Sequence, residues 1–403
     1  MSLRKLLGVL IAVVVLPTSH AQIPVEKAVV ETLGDHTSQG WFWIGGNRAP
    51  SQIDGRFFLF DDTGRMRGQL NNGFWPNTIL PSKKSAEIYV PETYFARGLR
   101  GERTDVVTVY DGKTLLPKRE VRIPPKRINA LGSIGLEALT DDERFMLVFN
   151  YTPAQSVSVV DLKANRFVGE IETPGCASMY PAGDRDFYLI CGDGGFLHVR
   201  LNEAGQVALK ERIAPLFDPI KDFINTSAAR KGNTWYFISH QNNLVAIEMT
   251  SSGAKLTGKW SLLSDSERKS DWRYSGVQHI AIHHASDRLY TLMHKGEEKT
   301  SQEPGTEVWV YDLNTQKKID TIKMDELTLS IAVSQSAKPR LYSIDFIVPM
   351  PYLAMIWIYL TEGNDGIFRV MQQAVSIYDP LSHKRLQHVR GLPMGYLNTI
   401  IPW

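Results

Sequence analysis

The chain is built from short stretches in which apolar and polar residues alternate, and several of these stretches end at an aspartate. They are "FFLFD", "VVTVYD", "SVSVVD", "EVWVYD" and "AVSIYD", ending at Asp61, Asp111, Asp161, Asp312 and Asp379. Turn-forming residues and a second short alternating stretch follow, for example "RFVGEI" (166–171). A period of two that is bounded by Gly, Asp, Asn and Pro is typical of β-strands joined by tight turns.

These stretches form a repeat along the chain. Two weaker copies, "FLHVRL" (196–201) and "NLVAIEM" (243–249), bring the number of repeats to seven, and the first three aspartates are 50 residues apart. Repeats of about 40 to 50 residues with several strands each predict a β-propeller. No long stretch has convincing helical periodicity. The sequence therefore predicts an all-β, seven-bladed β-propeller with YVTN-like repeat blades over residues 41–403, and each aspartate is interpreted as an acceptor for the following turn.

The first 21 residues have the composition of a secretory signal peptide. Arg4 and Lys5 precede a short apolar stretch, and the small residues Ser19 and Ala21 lie at positions −3 and −1 of the expected cleavage site. Cleavage after Ala21 would leave 382 residues, beginning with an N-terminal extension (22–40), and would place the protein in the periplasm. The alternative is an uncleaved N-terminal anchor, although the apolar stretch is short for a bilayer.

The charge of the chain argues against a nucleic-acid partner. The formal net charge is +2, and the loss of the two basic residues of the signal peptide brings it to about zero. One stretch places Arg97, Arg100 and Arg103 among glycines, but Glu102 and Asp105 interrupt it. It is interpreted as a loop that leads into the outer hairpin of a blade and contacts a protein partner. The alternative is a solvated loop with local ion pairs.

The two cysteines, Cys176 and Cys191, are separated by 14 residues that read as strand, turn and strand. In an oxidising compartment such a pair usually forms a disulfide. Two buried thiols or a metal pair are the alternatives, and the spacing matches no common metal motif.

Candidate chemistry is sparse. His279 and His283 fall on one side of an apparent strand, but no nearby Asp, Glu or Cys completes a metal site. The glycine-rich "CGDGGF" (191–196) lacks the lysine of a phosphate loop, so a tight turn is favoured. No catalytic, cofactor-binding or metal-binding residue is assigned to this chain.

One apolar segment, Phe346–Leu360, departs from the repeat and forms part of an insertion at about 346–372. It contains Pro349 and Pro351 and is too short for a stable membrane span. The favoured interpretation is an insertion that packs on the propeller or on a partner, and a membrane-touching loop is the alternative.

Longer segments of the sequence resemble the heavy subunit of bacterial amine dehydrogenases. They are "RGERTDVVTVYDGKTLLP" (100–117), "IPPKR" (123–127), "TPAQSVSVVDL" (152–162), the cysteine pair with "CGDGG", "WSLLSDSERKSDWRYSGVQHIAIHHASDRLY" (260–290) and "AVSQSAKPRLYS" (332–343). The resemblance covers about residues 41–343 and resumes near Ala374. "IPPKR", "CGDGG" and "WSLLSD" are closer to the aromatic amine branch than to the methylamine branch.

The resemblance implies a non-catalytic propeller subunit in a periplasmic heterotetramer of two heavy and two light chains. In that family the light subunit carries tryptophan tryptophylquinone, which oxidises primary amines to aldehyde and ammonia. Electrons then pass to a blue copper protein such as amicyanin or azurin. The stretch Asn47–Gly55 lacks the aromatic residue that helps gate substrate entry in the methylamine branch, so gating is not carried over.

Two other classes of function stay open at this stage. One is a free-standing periplasmic propeller of the YVTN type that acts as a binding or scaffold protein. The other is a propeller enzyme such as a lactonase or a metal-dependent hydrolase.

Overall fold

The repeats fold into small antiparallel sheets. The structure, a computed structural model, describes residues 32–34, 40–46, 55–74, 78–128, 134–392 and 397–403. The predicted signal peptide (1–21), most of the predicted extension (22–40) and the stretch 47–54 lie outside the described residues.

Five sheets have four strands each. The first three of these sheets contain β1 (Phe42–Gly46), β2 (Gly55–Phe60) and β3 (Met66–Asn72); β4 (Leu80–Pro81), β5 (Glu87–Phe95), β6 (Arg103–Asp111) and β7 (Pro117–Ile123); and β8 (Glu137–Leu139), β9 (Phe145–Asn150), β10 (Ser156–Asp161) and β11 (Arg166–Glu172). The next two contain β12 (Cys176–Ala182), β13 (Asp186–Cys191), β14 (Phe196–Leu201) and β15 (Val207–Ile213); and β16 (Ile224–Lys231), β17 (Thr234–Ser239), β18 (Asn243–Thr250) and β19 (Gly253–Ser261).

The other sheet has eight strands. They are β20 (Trp272–Tyr274), β21 (Ile280–His283), β22 (Arg288–Lys295), β23 (Gly305–Asp312), β24 (Lys317–Val333), β25 (Leu341–Ile347), β26 (Gln372–Tyr378) and β27 (Arg385–Val389). The 17-residue strand β24 pairs with β23 through its first part and with β25 through its second part.

The propeller fold is confirmed, but the prediction of seven blades is wrong. The described strands form five four-stranded blades, and the remaining eight strands form one continuous sheet instead of separate blades. The physical reason lies in β24, whose sequence contains no Gly, Pro or Asn, the residues that end strands most effectively. Elsewhere such residues separate successive sheets, for example Pro124 and Pro125 after β7.

The last strand completes the first sheet. β28 (Thr399–Pro402) pairs antiparallel with β1, with Phe42 opposite Pro402 and Gly45 opposite Thr399. The first sheet therefore joins the two ends of the described chain. Among the described residues, two α-helices lie outside the sheets, α1 (Asp265–Lys269) and α2 (Tyr352–Val370), and single 3-10 turns occur at Ile134–Leu136 and His284–Ser286.

The strand order fixes two opposite faces of the propeller. The first strands of neighbouring sheets lie side by side, since β8 contacts β12, β16 contacts β21, and the second part of β24 contacts both β21 and β28. Because neighbouring strands of a blade alternate in direction, connections between the second and third strands emerge at one end. We call this end the upper face and the opposite end, where the first strand turns into the second, the lower face.

Apolar side chains between neighbouring sheets form the core. A representative cluster joins the third and fourth sheets through Leu147, Phe149, Met179, Phe187 and Leu189, each of which is at most 2% exposed. Burial of such side chains contributes roughly 25 cal/mol for each Å² of apolar area.

The aspartates that end the repeats act as turn acceptors, as predicted. Asp111 accepts the backbone N–H groups of Lys113 and Thr114 at 2.9 Å each. The N–H of Thr114, followed by that of Lys113, lowers the pKa of Asp111 more than its slight burial raises it. Equivalent bonds occur at Asp61, Asp161, Asp312 and Asp379.

Candidate functional site

The arginine-rich loop forms a hairpin turn on the upper face, between β5 and β6. The backbone N–H of Arg97 donates to the carbonyl oxygen of Arg100 at 2.9 Å. Gly98 and Gly101 have φ angles of 74° and 101°, which favour glycine over residues with a Cβ atom. The glycines between the arginines therefore serve the turn itself.

The tip of this loop is exposed. Arg97 and Arg100 lie on the surface, and Leu99 between them is 55% exposed. Within the described part of the chain, neither guanidinium group has a hydrogen-bond or ion-pair partner. Arginine with exposed apolar area is enriched at protein interfaces, so the tip has suitable chemistry for a protein contact.

Arg103 has a different environment from the other two arginines. Its Nε and Nη2 atoms donate to Oδ1 and Oδ2 of Asp105 at 2.9 and 2.8 Å, and Nη2 also donates to the carbonyl of Arg127 at 2.6 Å. Asp105 is fully buried and also accepts bonds from Thr93 Oγ1 and the N–H of Arg127. Arg103 therefore compensates a buried carboxylate.

Sequence reasoning missed the role of Arg127. This side chain is 1% exposed, and it donates to Thr93 Oγ1 at 3.2 Å and to the carbonyl of Phe74 at 3.1 Å. Its Nη1 atom lies 3.7 Å from Oε1 of Glu137, a buried residue of β8. Burial lowers the pKa of Arg127, an effect that the neighbouring carboxylates of Glu137 and Asp105 oppose. Arg127 thus connects the first three sheets beneath the arginine-rich hairpin.

The predicted disulfide is present. Cys176 begins β12 and Cys191 ends β13, where the two residues are direct cross-strand partners at the upper face. The glycine-rich stretch that follows is a tight turn, in which Oδ1 of Asp193 accepts the N–H of Gly195 at 2.9 Å. The pair anchors this turn to the start of its blade.

The two histidines considered for a metal site have different surroundings. His279 is completely buried, and its desolvation lowers its pKa to about 4. The ring of His283 is bonded to Ser286 Oγ at 2.7 Å and to the carbonyl of Ser336 at 3.1 Å. Across the residues that the structure covers, no group of three or more His, Cys, Asp or Glu could hold a metal ion.

The apolar insertion is a helix, contrary to the expectation that no long helical segment exists. α2 connects β25 to β26 and is interrupted at Gly363, where φ is 66° and ψ is −153°. The second part of β24 lies beside the first strands β21 and β28 and turns into β25 at the lower face, so the connection from β25 to β26 lies on the upper face, as does the arginine-rich hairpin. Among the described elements, α2 makes no extensive contact with any strand or helix.

The outer surface of α2 is apolar. Leu353, Trp357 and Leu360 are 78%, 65% and 75% exposed and lie on one side of the helix, at spacings of four and three residues. Other positions of α2, including Met355 and Ile358, are half-buried. The interpretation of the insertion as packed on the propeller or on a partner stays a prediction. None of the described helices is long and apolar enough to cross a membrane.

The fold and the exposed hairpin define a β-propeller with a candidate protein-binding surface on its upper face. The sequence profile of the methylamine dehydrogenase heavy chain family matches residues 51–348. The chain belongs to this family, as the resemblance in its sequence predicted. The match ends four residues before α2 begins.

Individual relatives agree with this assignment. The chain is 28% identical over 344 residues to the methylamine dehydrogenase heavy chain of Methylorubrum extorquens. The aligned part covers 84% of this chain and 77% of the relative. The chain is 29% identical over 294 residues to the methylamine dehydrogenase heavy chain of Paracoccus versutus, covering 72% and 68%. A putative 6-phosphogluconolactonase from Bacteroides uniformis has a TM-score of 0.55 at 10% identity, covering 91% of this chain and all of that one. At that identity the likeness concerns the fold alone.

Proposed function

We propose that this chain is the non-catalytic heavy subunit of a periplasmic quinoprotein amine dehydrogenase. It binds a light subunit whose tryptophan tryptophylquinone supplies the two-electron oxidation of a primary amine to an aldehyde and ammonia. A blue copper protein, such as amicyanin or azurin, accepts the electrons, and two heavy and two light chains form the complex. The observation that carries this proposal is the family match over residues 51–348.

Two close pairs of tryptophans in the described chain pack at least one indole into the propeller. Two pairs of indole rings are close, Trp43 with Trp403 and Trp272 with Trp309, at centroid distances of 5.5 and 5.0 Å. In each pair one indole is buried, since Trp43 is 0% and Trp309 2% exposed. Trp309 also donates its Nε1–H to Glu307 at 2.7 Å within its sheet. The other indole of each pair, Trp403 or Trp272, is half-buried.

The proposal places the light subunit on the upper face, against the tip of the arginine-rich hairpin. Arg97 and Arg100 extend there without described partners, and the guanidinium groups can form bidentate bonds with carboxylates of another chain. Arg103 lies beneath them and holds Asp105, so its contribution to association is indirect.

Co-expression with a light-chain gene tests the function. We expect the two chains to co-purify and the complex to reduce a dye when a primary amine is added, whereas this chain alone should be inactive. A chain that elutes as a monomer in the presence of the light chain, with no amine-dependent dye reduction, would instead favour a free-standing binding propeller.

The interface has a matched test. Arg97→Ala combined with Arg100→Ala should weaken association of the two subunits by at least tenfold while the melting temperature of the chain stays unchanged. Arg65→Ala is the control, because Arg65 is an exposed arginine in a turn on the lower face. If both variants associate with the light subunit equally well, the hairpin is a solvated loop and not part of the interface.

A further inference from the structure

A cavity of about 410 Å³ opens on the lower face, where the first strands of the sheets end. Its walls come from the ends of β16, β21, β24 and β28 and from Lys83, which follows β4. Pockets for small molecules have volumes of roughly 300 to 1,000 Å³. The cavity lies on the opposite face from the arginine-rich hairpin and does not depend on the proposed function.

The inner wall of the cavity is apolar. Its apolar lining consists of Ala229, Ile280, Ala281, Ile282, Ala332, Val333 and Pro402. The two glutamines in the lining are already bonded. The side-chain amide of Gln278 exchanges two bonds with the backbone of Ile400, and that of Gln335 bridges the N–H of His284 and the carbonyl of Ile282.

The charged groups at the mouth are paired, with one exception. Arg230 forms a bidentate pair with Asp141 at 2.6 and 2.7 Å, and Lys231 pairs with Asp287. Lys84 donates its ammonium to the carbonyl of Asp141 at 2.7 Å. The ammonium of Lys83 has no partner among the residues that the structure describes. No Asp or Glu of the described chain lines the cavity.

Glu143 lies beside the backbone of Lys83 and accepts hydrogen bonds from neutral donors. Its two oxygens accept the hydroxyl of Ser82 and the backbone N–H of Lys83. The ammonium of Lys83 is therefore a charged donor, without a bonded partner in the described chain, at the edge of an apolar wall.

His284 supplies a second polar group. Its Nε2 atom lies 2.9 Å from the carbonyl oxygen of Arg230, so Nε2 carries the hydrogen and Nδ1 has a free lone pair when the ring is neutral. Burial lowers the pKa of His284, and the charges of Lys83, Lys231 and His283 lower it further. The other charges near the ring belong to the Arg230–Asp141 and Lys231–Asp287 pairs.

We propose that this cavity is a binding site for a small carboxylate with an apolar body. The carboxylate accepts a charge-assisted hydrogen bond from Lys83, and the apolar body lies against Ile280 and Ile282. A bound anion stabilises the protonated form of His284, whose Nδ1–H can then donate to the ligand. Neutral and cationic molecules of the same shape lack the negative charge that strengthens both interactions.

Calorimetric titration of the full-length chain with benzoate tests the site, and benzyl alcohol serves as the neutral analogue. We expect saturable benzoate binding at one site and at least tenfold weaker binding of benzyl alcohol. NMR titration of the His284 ring should show that its pKa rises when benzoate binds. Equal affinity for the two molecules, or no saturable benzoate binding, would refute the proposal.

Two neighbouring lysines give a matched pair of variants. Lys83→Gln should weaken benzoate binding at least tenfold, and it should raise the pKa of His284 in the absence of benzoate because one nearby positive charge is removed. Lys84→Gln, whose ammonium is engaged with Asp141, should change benzoate affinity less than twofold. If both variants lose the same benzoate affinity, benzoate is attracted by the general positive charge of this surface. A specific site at Lys83 would then be excluded.

Discussion

Replacing Arg103 by alanine is expected to destabilise the fold, although Arg103 belongs to the same exposed-looking stretch as Arg97 and Arg100. The substitution removes two hydrogen bonds to the carboxylate of Asp105 and one to the carbonyl of Arg127. Asp105 stays buried and keeps the hydroxyl of Thr93 and the N–H of Arg127 as donors. A buried charge thus loses its nearest counter-charge.

The size of the effect follows from burial. Removing one partner of a fully buried ion pair costs about 3–5 kcal/mol. The side chain of Arg103 is 21% exposed whereas that of Asp105 is 0% exposed, so water screens part of the interaction and we expect a loss of about 2–3 kcal/mol. For a chain of this length, such a loss corresponds to a fall in melting temperature of about 3 °C.

Thermal denaturation followed by circular dichroism, at one scan rate for all variants, measures this fall. Arg97→Ala and Arg100→Ala are the controls and should change the free energy of unfolding by less than about 0.5 kcal/mol. In the double variant Arg103→Ala/Asp105→Asn, part of the lost stability should return because the buried charge is gone. If Arg103→Ala melts at the same temperature as Arg97→Ala, the network around Asp105 has been misjudged.

Three further predictions concern other parts of the chain. Cys176→Ala/Cys191→Ala should lose about 3 kcal/mol of stability, as expected for a loop of this length, and reducing agent should destabilise the parent but not the variant. Replacing residues 350–371 by a short Gly–Ser linker should shift the melting temperature by less than about 1 °C, because Ile347 and Gln372 are already cross-strand partners and a short linker can join them; a larger fall would show that α2 supports the ring. Burial raises the pKa of Asp345 to about 6, so this carboxyl contributes stability below about pH 4 that is lost as the pH rises through 6. Asp345→Asn should therefore gain stability relative to the parent between pH 4 and 7, and a pH-independent difference in melting temperature would contradict this.

Short apolar or alternating stretches that end at turn residues predicted the strands well, because strands buried on both faces, such as β9, are apolar along most of their length. They could not predict how the strands are divided among blades. That division depends on whether the chain is interrupted between an outer strand and the next inner strand. The uninterrupted sequence of β24 (Lys317–Val333) carried this information, as it lacks the strand-ending residues found between the other sheets.

The helix α2 was missed for the opposite reason. Helical periodicity becomes visible when one side of a helix is apolar and the other polar. The first half of α2 is apolar almost all round, so no polar side marks its period. Pro349 and Pro351 precede the helix and do not interrupt it, in agreement with the tolerance of proline before the first turn.

Spacing alone could not separate the three arginines of the hairpin, since Arg97, Arg100 and Arg103 follow one another at intervals of three residues. The difference arises from the strand that begins at Arg103, where the side chain is drawn towards a carboxylate two residues further along the same face. A charge within a strand that faces the interior must be compensated, whereas a charge in the preceding turn can remain in water. The hairpin therefore combines a rigid, internally bonded base with a tip that is free to bind. A partner held by Arg97 and Arg100 would be fixed in position by the buried Asp105–Arg127 network beneath them, so a defect in that network should weaken subunit association as well as stability.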